Sequence, residues 1–462
     1  MMYDFLENDD PSHEWDQAEF IAAEAFELYE KGQMQQALAK LSEAIELAPE
    51  HSEWYFNAAL TLDGLEDYER AIDFYERALA SVPDDVEILN CLGVDYTRTT
   101  RYDLALETFE RIEAIEPGFE PCYCNRIITY TEMEQHDKAE QMFYLAQQIN
   151  PDCALCFYNI GNSLFTQGKY DRAIWCWDKC AELDPQHPQI HFRLAQACWI
   201  SGQGRRAKDE FLIELRENPK DLEVTLEFGF FLLESGDLEG AKEKFNRILE
   251  FDETFALAKF YLGEVYLGEG NLFAAERWFR QAIQADTLLV GPRFRLAQLY
   301  QEKGQSQAAA ELLNDEFKLG IEDNDVLCTM GWMLLQMDSN GDAVRCFLRI
   351  LEQDDSSDDV FFGLAISLAR GGEYEGALQC LKQAIRLRPN RPELLLCAGW
   401  LCYRLKKWAH GLCYAKKCQT AYPNQQPWKS RCRELKRTIY FGKVFEYIKT
   451  WPLLRRIDKN SV

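Results

Sequence analysis

Apolar and polar positions along the chain return with a fixed period of 34 residues. In rows of 34 counted from Ala18, apolar side chains fall at places four, seven, eight and eleven, and again at twenty, twenty-four and twenty-seven. Each set occupies one stripe of a helix with 3.6 residues per turn. Every row therefore predicts two helices, and the register runs without insertion through Gln425.

The size of the side chains predicts how those helices pack. Place twenty is Ala from Ala37 to Ala377 and Gly411 in the last row, and place eight is Ala or Gly in every row except at Ile127. Place twenty-four is bulky, as in Tyr75, Phe109, Trp177, Phe245, Phe279 and Phe347. Such a residue fits only where the facing positions are small, so the helices are expected to approach closely. Seven rows carry Gly at place fifteen, from Gly32 to Gly372, where a helix stop calls for a left-handed residue. Eight rows carry Pro at place thirty-two, from Pro49 to Pro423, which ends the second helix.

Small residues at eight and twenty, an aromatic at twenty-four and a proline at thirty-two together resemble the tetratricopeptide repeat. The resemblance covers 408 of the 462 residues. It implies an all-α, right-handed superhelical solenoid of helix-turn-helix repeats whose first helices line a concave groove, a surface that such solenoids use to bind polypeptides. The expected organisation is an acidic N-terminal segment at 1–17, twelve repeats over 18–425 and a basic capping helix and tail at 426–462. The repeats are expected at 18–51, 52–85, 86–119, 120–153, 154–187, 188–221, 222–255, 256–289, 290–323, 324–357, 358–391 and 392–425. Glu214 and Glu316 depart from the pattern at a place that is usually small, and the last row is worn at Gly411, Ala415 and Cys418.

In this repeat family places two, five, nine and twelve face the concave surface. From the sixth row on, that stripe is rich in aromatics: Phe192, Trp199, Phe230, Phe260, Phe294, Trp332, Phe362, Trp400 and Tyr403. Stacking alone does not require them, and exposed aromatics commonly anchor a partner, so they form the expected peptide-binding groove. Asn159, Asn162 and Gln196 supply polar groove positions suited to a bound backbone. Members of the family that clamp C-terminal carboxylates use Lys at place five, where this chain has Phe56, Asn90, Cys124, Phe192, Phe260 and other residues but no lysine. An extended or helical apolar segment is the expected ligand instead.

Charge narrows the partner further. The net charge of −27 divides into +14 for residues 386–462 and −41 for residues 1–385. The acidic stretch repels phosphates, which argues against nucleic acid, and suits a basic polypeptide. The basic C-terminal helix carries Trp428, Cys432, Leu435 and Ile439 on one face, as a cap would. Its cationic face leaves room for an acidic partner or an anionic membrane surface. The longest apolar run, Leu394 to Tyr403, is about half of what a transmembrane span needs. An acidic N-terminus before the first basic residue, Lys31, and sixteen cysteines without an export signal lead us to expect a cytoplasmic protein.

Neither cofactor nor metal is expected. Cys153 and Cys156 form a C-x-x-C one row after Cys122 and Cys124, but row phase aligns Cys122 with Cys156 and sends Cys124 toward the groove. His187 and His191 are separated by Pro188 and a row boundary, which suggests loop histidines, and the acidic run 352–359 lacks the spacing of a calcium loop and reads as a solvated turn. No phosphate loop, dinucleotide fingerprint, nucleophile elbow or HExxH motif occurs, so catalysis is not expected. Sugar-transferring enzymes that carry such repeats have a separate domain of several hundred residues after them, against the 37 residues that follow the last row here.

Overall fold

The structure, a computed structural model, describes residues 11–353, 357–423 and 425–449. The N-terminal residues 1–10 and residues 354–356 of the acidic run 352–359 therefore lie outside the described residues. All regular structure among the described residues is α-helix. In chain order the helices are α1 (Pro11–Glu30), α2 (Met34–Leu47), α3 (Ser52–Gly64), α4 (Tyr68–Ser81), α5 (Val86–Arg98), α6 (Tyr102–Ile115), α7 (Glu120–Glu132), α8 (His136–Ile149) and α9 (Ala154–Thr166). There follow α10 (Tyr170–Leu183), α11 (Ile190–Ile200), α12 (Gly204–Glu217), α13 (Leu222–Glu234), α14 (Leu238–Phe251), α15 (Ala256–Gly268), α16 (Leu272–Ala285) and α17 (Pro292–Glu302). The last are α18 (Ser306–Phe317), α19 (Asn324–Gln336), α20 (Asn340–Gln353), α21 (Asp358–Arg370), α22 (Tyr374–Leu387), α23 (Pro392–Arg404), α24 (Trp408–Ala421) and α25 (Trp428–Lys449).

The chain divides into two compact units, residues 1–224 and 225–462. Within each, helices pack in chain order as hairpins. The core of the first unit is a row of fully buried rings, Tyr75, Phe109, Trp177 and Phe211, and that of the second holds Phe245, Phe279 and Phe347. Phe109, Trp177, Phe245, Phe279 and Phe347 fill the space that a glycine leaves. A Cβ on Gly263 would lie 2.4 Å from the ring of Phe279, and one on Gly363 would lie 2.4 Å from that of Phe347. Burying such a ring contributes about 1.5–3 kcal/mol. Ile127, the row that breaks this rule, shows the cost: the facing Phe143 is only half-buried and leans on Phe157 of the next row at 5.4 Å.

The turn inside each hairpin is left-handed whether or not glycine is present. Glu66, Thr100, Glu134, Asp338 and Lys406 hold φ between 57° and 62° where other rows have Gly. The amide after the turn closes it by donating back five residues, as Arg101 does to the Tyr96 carbonyl at 2.8 Å. Sequence alone signalled this turn only where the glycines stand.

Two departures from the pattern have a local function. α11 and α17 begin later in their rows than the other first helices, after Gln189 at φ 60° and Gly291 at φ 113°. In those same rows the buried Glu214 and Glu316 reach to the new helix start, where they accept from the amides of Phe192 and Gly291. The worn last row is completed by α25. Leu435 and Ile439 occupy the space beside Gly399 and Gly411, where a Cβ would come within 2.7 and 3.0 Å of them, and Cys432 is buried with Cys418 and Leu395. This is the packing expected of a cap. Asp358, in the acidic run, is not solvated as expected: Arg388 and Arg391 draw it in at 2.9 and 2.7 Å.

Candidate functional site

The expected groove residues lie on first helices, but the protein covers most of them itself. In the first unit Phe192 is 4% exposed, its ring 6.3 Å from Phe211, and Trp199 is half-buried. In the second unit Phe294 is 9% exposed and belongs to the main core. Phe192 and Phe294 are therefore core residues and not groove residues. Phe230, Phe260, Trp332, Phe362 and Tyr403 are half-buried. They form a series of self-contacts: Phe230 with Tyr261 at 5.3 Å, Phe260 with Phe279 at 5.8 Å, and Trp332 with Phe347 at 5.7 Å and Phe362 at 6.0 Å. Neighbouring first helices lie close enough for a ring at place five to lean across, a proximity that periodicity does not reveal.

Two of the three polar positions are likewise engaged. Asn159 is buried and donates from Nδ2 to the Cys124 carbonyl at 3.2 Å, so it ties two first helices together and is not available to a guest backbone. Asn162 is half-buried, and Gln196 accepts from Arg193 at 3.3 Å. At another groove place Glu264 pairs with Arg295 at 2.9 Å. Burial pushes the Glu264 carboxyl up from its ordinary range, and the Arg295 charge opposes the shift. Nothing in the sequence analysis singled out this pair, although its acid and base stand one row apart.

Of the expected groove aromatics, Trp400 at the C-terminal end of the second unit is the exposed one. Trp400 on α23 is 41% exposed, with Tyr374 edge-to-face at 6.1 Å and the Arg404 guanidinium over its ring at 5.3 Å. It faces a cleft of about 540 Å³ between α23 and α25, lined by Phe362, Leu396, Cys397, Trp400, Trp428 and Leu435. Glu393, Arg431, Glu434 and Thr438 supply its polar groups. Burial pushes the Cys397 thiol up to about 11, so it stays neutral as part of the apolar lining. A second hollow of about 240 Å³ opens on the other side of the same ring, against Ile366, Ala369 and Leu401. The sequence pointed to Phe362 and Trp400. It assigned Trp428 to the buried face of the cap, whereas this residue is the far wall of the cleft. The volume is in the range of ligand sites, and an aromatic pair across a cleft suits an apolar side chain.

The expectation of two loop histidines holds for His187 and is corrected for His191, which the late start of α11 at Ile190 takes into the helix. His187 lies on Tyr158 with ring centroids 4.3 Å apart, while His191 belongs to α11 and meets Glu210 at 2.8 Å. The cysteine expectation is corrected. Cys122 donates to the Phe109 carbonyl at 3.3 Å and stands apart, whereas Cys124 is buried with its sulfur 3.7 Å from Cys153.

Stacked helix hairpins, locked by large residues against small ones, define a helical repeat protein whose surfaces serve interaction with other proteins. This chain belongs to the tetratricopeptide repeat family. One model described as tetratricopeptide repeat matches residues 23–86, 65–118 and 231–288, and one described as TPR repeat matches residues 161–202 and 367–406. Human protein O-mannosyl-transferase TMTC3 is 22% identical over 368 residues, 75% of this chain and 40% of that relative, so the chain spans well under half the relative's length. Among solved structures, YrrB, described as a TPR protein with an unusual peptide-binding site, is 16% identical, with a TM-score of 0.37 over 42% of this chain and 97% of that one. Yeast Tom70 is 13% identical, with a TM-score of 0.36 over 96% of this chain and 99% of that one. Cut9, from the APC/C hetero-tetramer Cut9–Hcn1, is 14% identical, with a TM-score of 0.34 over 91% and 96%. No helix among the described residues is long and apolar enough to cross a membrane.

Proposed function

We propose that this protein is a non-catalytic scaffold that holds a polypeptide segment, with the principal grip in the cleft between α23 and α25. The observation that carries this reading is that Trp400 and Trp428 line one cleft of about 540 Å³ together with Phe362, Leu396 and Leu435. An apolar side chain of the guest would enter between the rings, and Glu393, Glu434 and Arg431 would pair its polar flanks. The strongly acidic body of the chain favours a basic guest, and electrostatic attraction would speed encounter more than it tightens the complex. A cytoplasmic setting belongs to the same reading, supported by sixteen cysteines that are all free thiols.

Panning a random peptide display library on the purified protein tests this. Enriched peptides should carry an apolar anchor, and Trp400→Ala should weaken them by at least about tenfold, the share of a central aromatic anchor. Peptides that bind the variant as well as the parent would place the guest elsewhere.

A second reading, a structural subunit of a larger assembly, is favoured by the self-contacts of the remaining groove rings and by bare apolar side chains away from them. Phe273 is 81% exposed and Leu288 74%. Analytical ultracentrifugation of the pure protein discriminates: a stable monomer at micromolar concentration is at odds with an obligate homomeric subunit.

A further inference from the structure

In the first unit, four metal-ligating side chains from two neighbouring first helices and the loop between repeats meet at one point. Glu120 opens α7, Cys124 lies one turn later, Cys153 is the N-cap of α9 and Cys156 lies in its first turn. One ligand atom from each lies within 4.8 Å of those of all the others, the one such group of three or more among the described residues. All three cysteines are buried, and Glu120 is half-buried at the edge of the cluster.

We propose that Glu120, Cys124, Cys153 and Cys156 form a zinc site with three sulfur ligands and one oxygen. A tetrahedral zinc with bonds of about 2.3 Å to sulfur places its sulfurs about 3.8 Å apart. The Cys124 and Cys153 sulfurs are separated by 3.7 Å. The Glu120 carboxylate reaches both flanking sulfurs, at 2.8 Å from Cys124 and 3.3 Å from Cys156, so it is placed as the fourth vertex. The Cys156 amide donates to the Cys153 sulfur at 3.2 Å, a bond that stabilises a metal-bound thiolate from outside the coordination shell. The N-terminus of α9 adds its positive dipole end to a cluster that gathers negative charge. Asn159 holds the two helices at this level through the Cys124 carbonyl. Thiolates select zinc over the hard cations calcium and magnesium, and binding would release the thiol protons to solvent. The metal would join two successive repeats across their connecting loop, so its expected role is structural.

The full-length protein, reduced and treated with chelator, is titrated with cobalt(II) as a spectroscopic probe and then with zinc. The site requires one equivalent of cobalt to produce the visible bands of a tetrahedral ion together with thiolate-to-metal charge transfer, and zinc to bleach both. Cys124→Ser with Cys153→Ser should abolish the charge-transfer band, Glu120→Gln should weaken retention against a chelator, and Cys122→Ser should change neither. Zinc should also raise the melting temperature of the wild-type protein, a readout that needs no variant. A wild-type protein that yields no such bands, or bands that survive loss of both cysteines in a folded variant, would overturn the assignment. So would a Cys124–Cys153 disulfide that persists under reducing conditions and blocks cobalt.

Discussion

Glu214 accepts a hydrogen bond from the backbone amide of Phe192 at 3.2 Å, across the hairpin from α12 to the start of α11. The same carboxylate accepts from Asn218 Nδ2 at 2.9 Å. An acid stands at a place that is usually small because the first helix of that row begins late and leaves its opening amides to be satisfied from outside. Phe192 is thereby fixed into the core. Glu214→Ala would leave a buried amide unpaired, and we expect about 2 kcal/mol of local destabilisation. Because repeat arrays unfold piecewise, the measurement is hydrogen exchange at α11 and α12, not a single global transition. Unchanged protection there would deny the carboxylate this role.

Thr100 takes φ 60° on an exposed turn, a conformation unfavourable for a β-branched residue. Thr100→Gly removes the clash at the expense of a more flexible unfolded chain, and a net gain of about 1 kcal/mol is expected in the protection of α5 and α6. A loss would show that the threonine makes a compensating contact.

Asp95 is buried, its Oδ2 has no hydrogen-bond partner, and its carboxyl is pushed up to about 7 by burial and by the neighbouring Asp63, with Arg98 opposing. The folded state therefore holds a proton that the unfolded chain releases near the ordinary aspartate value of 3.8. Stability associated with this group is fully present at acid pH and declines as pH rises from about 4 to about 7. Asp95→Asn should accordingly match wild type near pH 4 and be more stable by on the order of 2 kcal/mol at pH 8. Parallel stability curves for the two proteins across that window would contradict the shift.

The cleft and its supporting cap can be separated by mutation. Leu435→Ala removes a side chain seated against Gly399 and should cost about 2–4 kcal/mol, seen as faster exchange in α23 and α24. Trp400→Ala, on an exposed ring, should leave that exchange nearly unchanged while weakening peptide capture. If both variants loosen the helices equally, loss of binding by the tryptophan variant says nothing about contact.

Much of the architecture is legible in the columns of the sequence. Ala at place twenty, the small residue at place eight and the bulky one at twenty-four specify two helices per row and how they approach, and the structure has that packing at Gly263 with Phe279. The site was legible only in part. Periodicity marks Phe230, Trp332 and Trp400 as equivalent, yet only Trp400 is exposed, because Tyr261 and Phe362 of the next row cover the first two and α25 leaves a gap beside the third.

What the sequence determined by itself is local and repetitive: helix period, turn position and the complementarity of large and small residues, all of which act between residues within about one row of each other. The tertiary structure decided which surfaces remain open and which side chains meet across rows, as with Trp428 opposite Trp400 and Cys124 beside Cys153. The reason is geometric. Exposure and convergence depend on how far one helix is displaced along its neighbour, and a repeating pattern of residue types is the same for many such displacements.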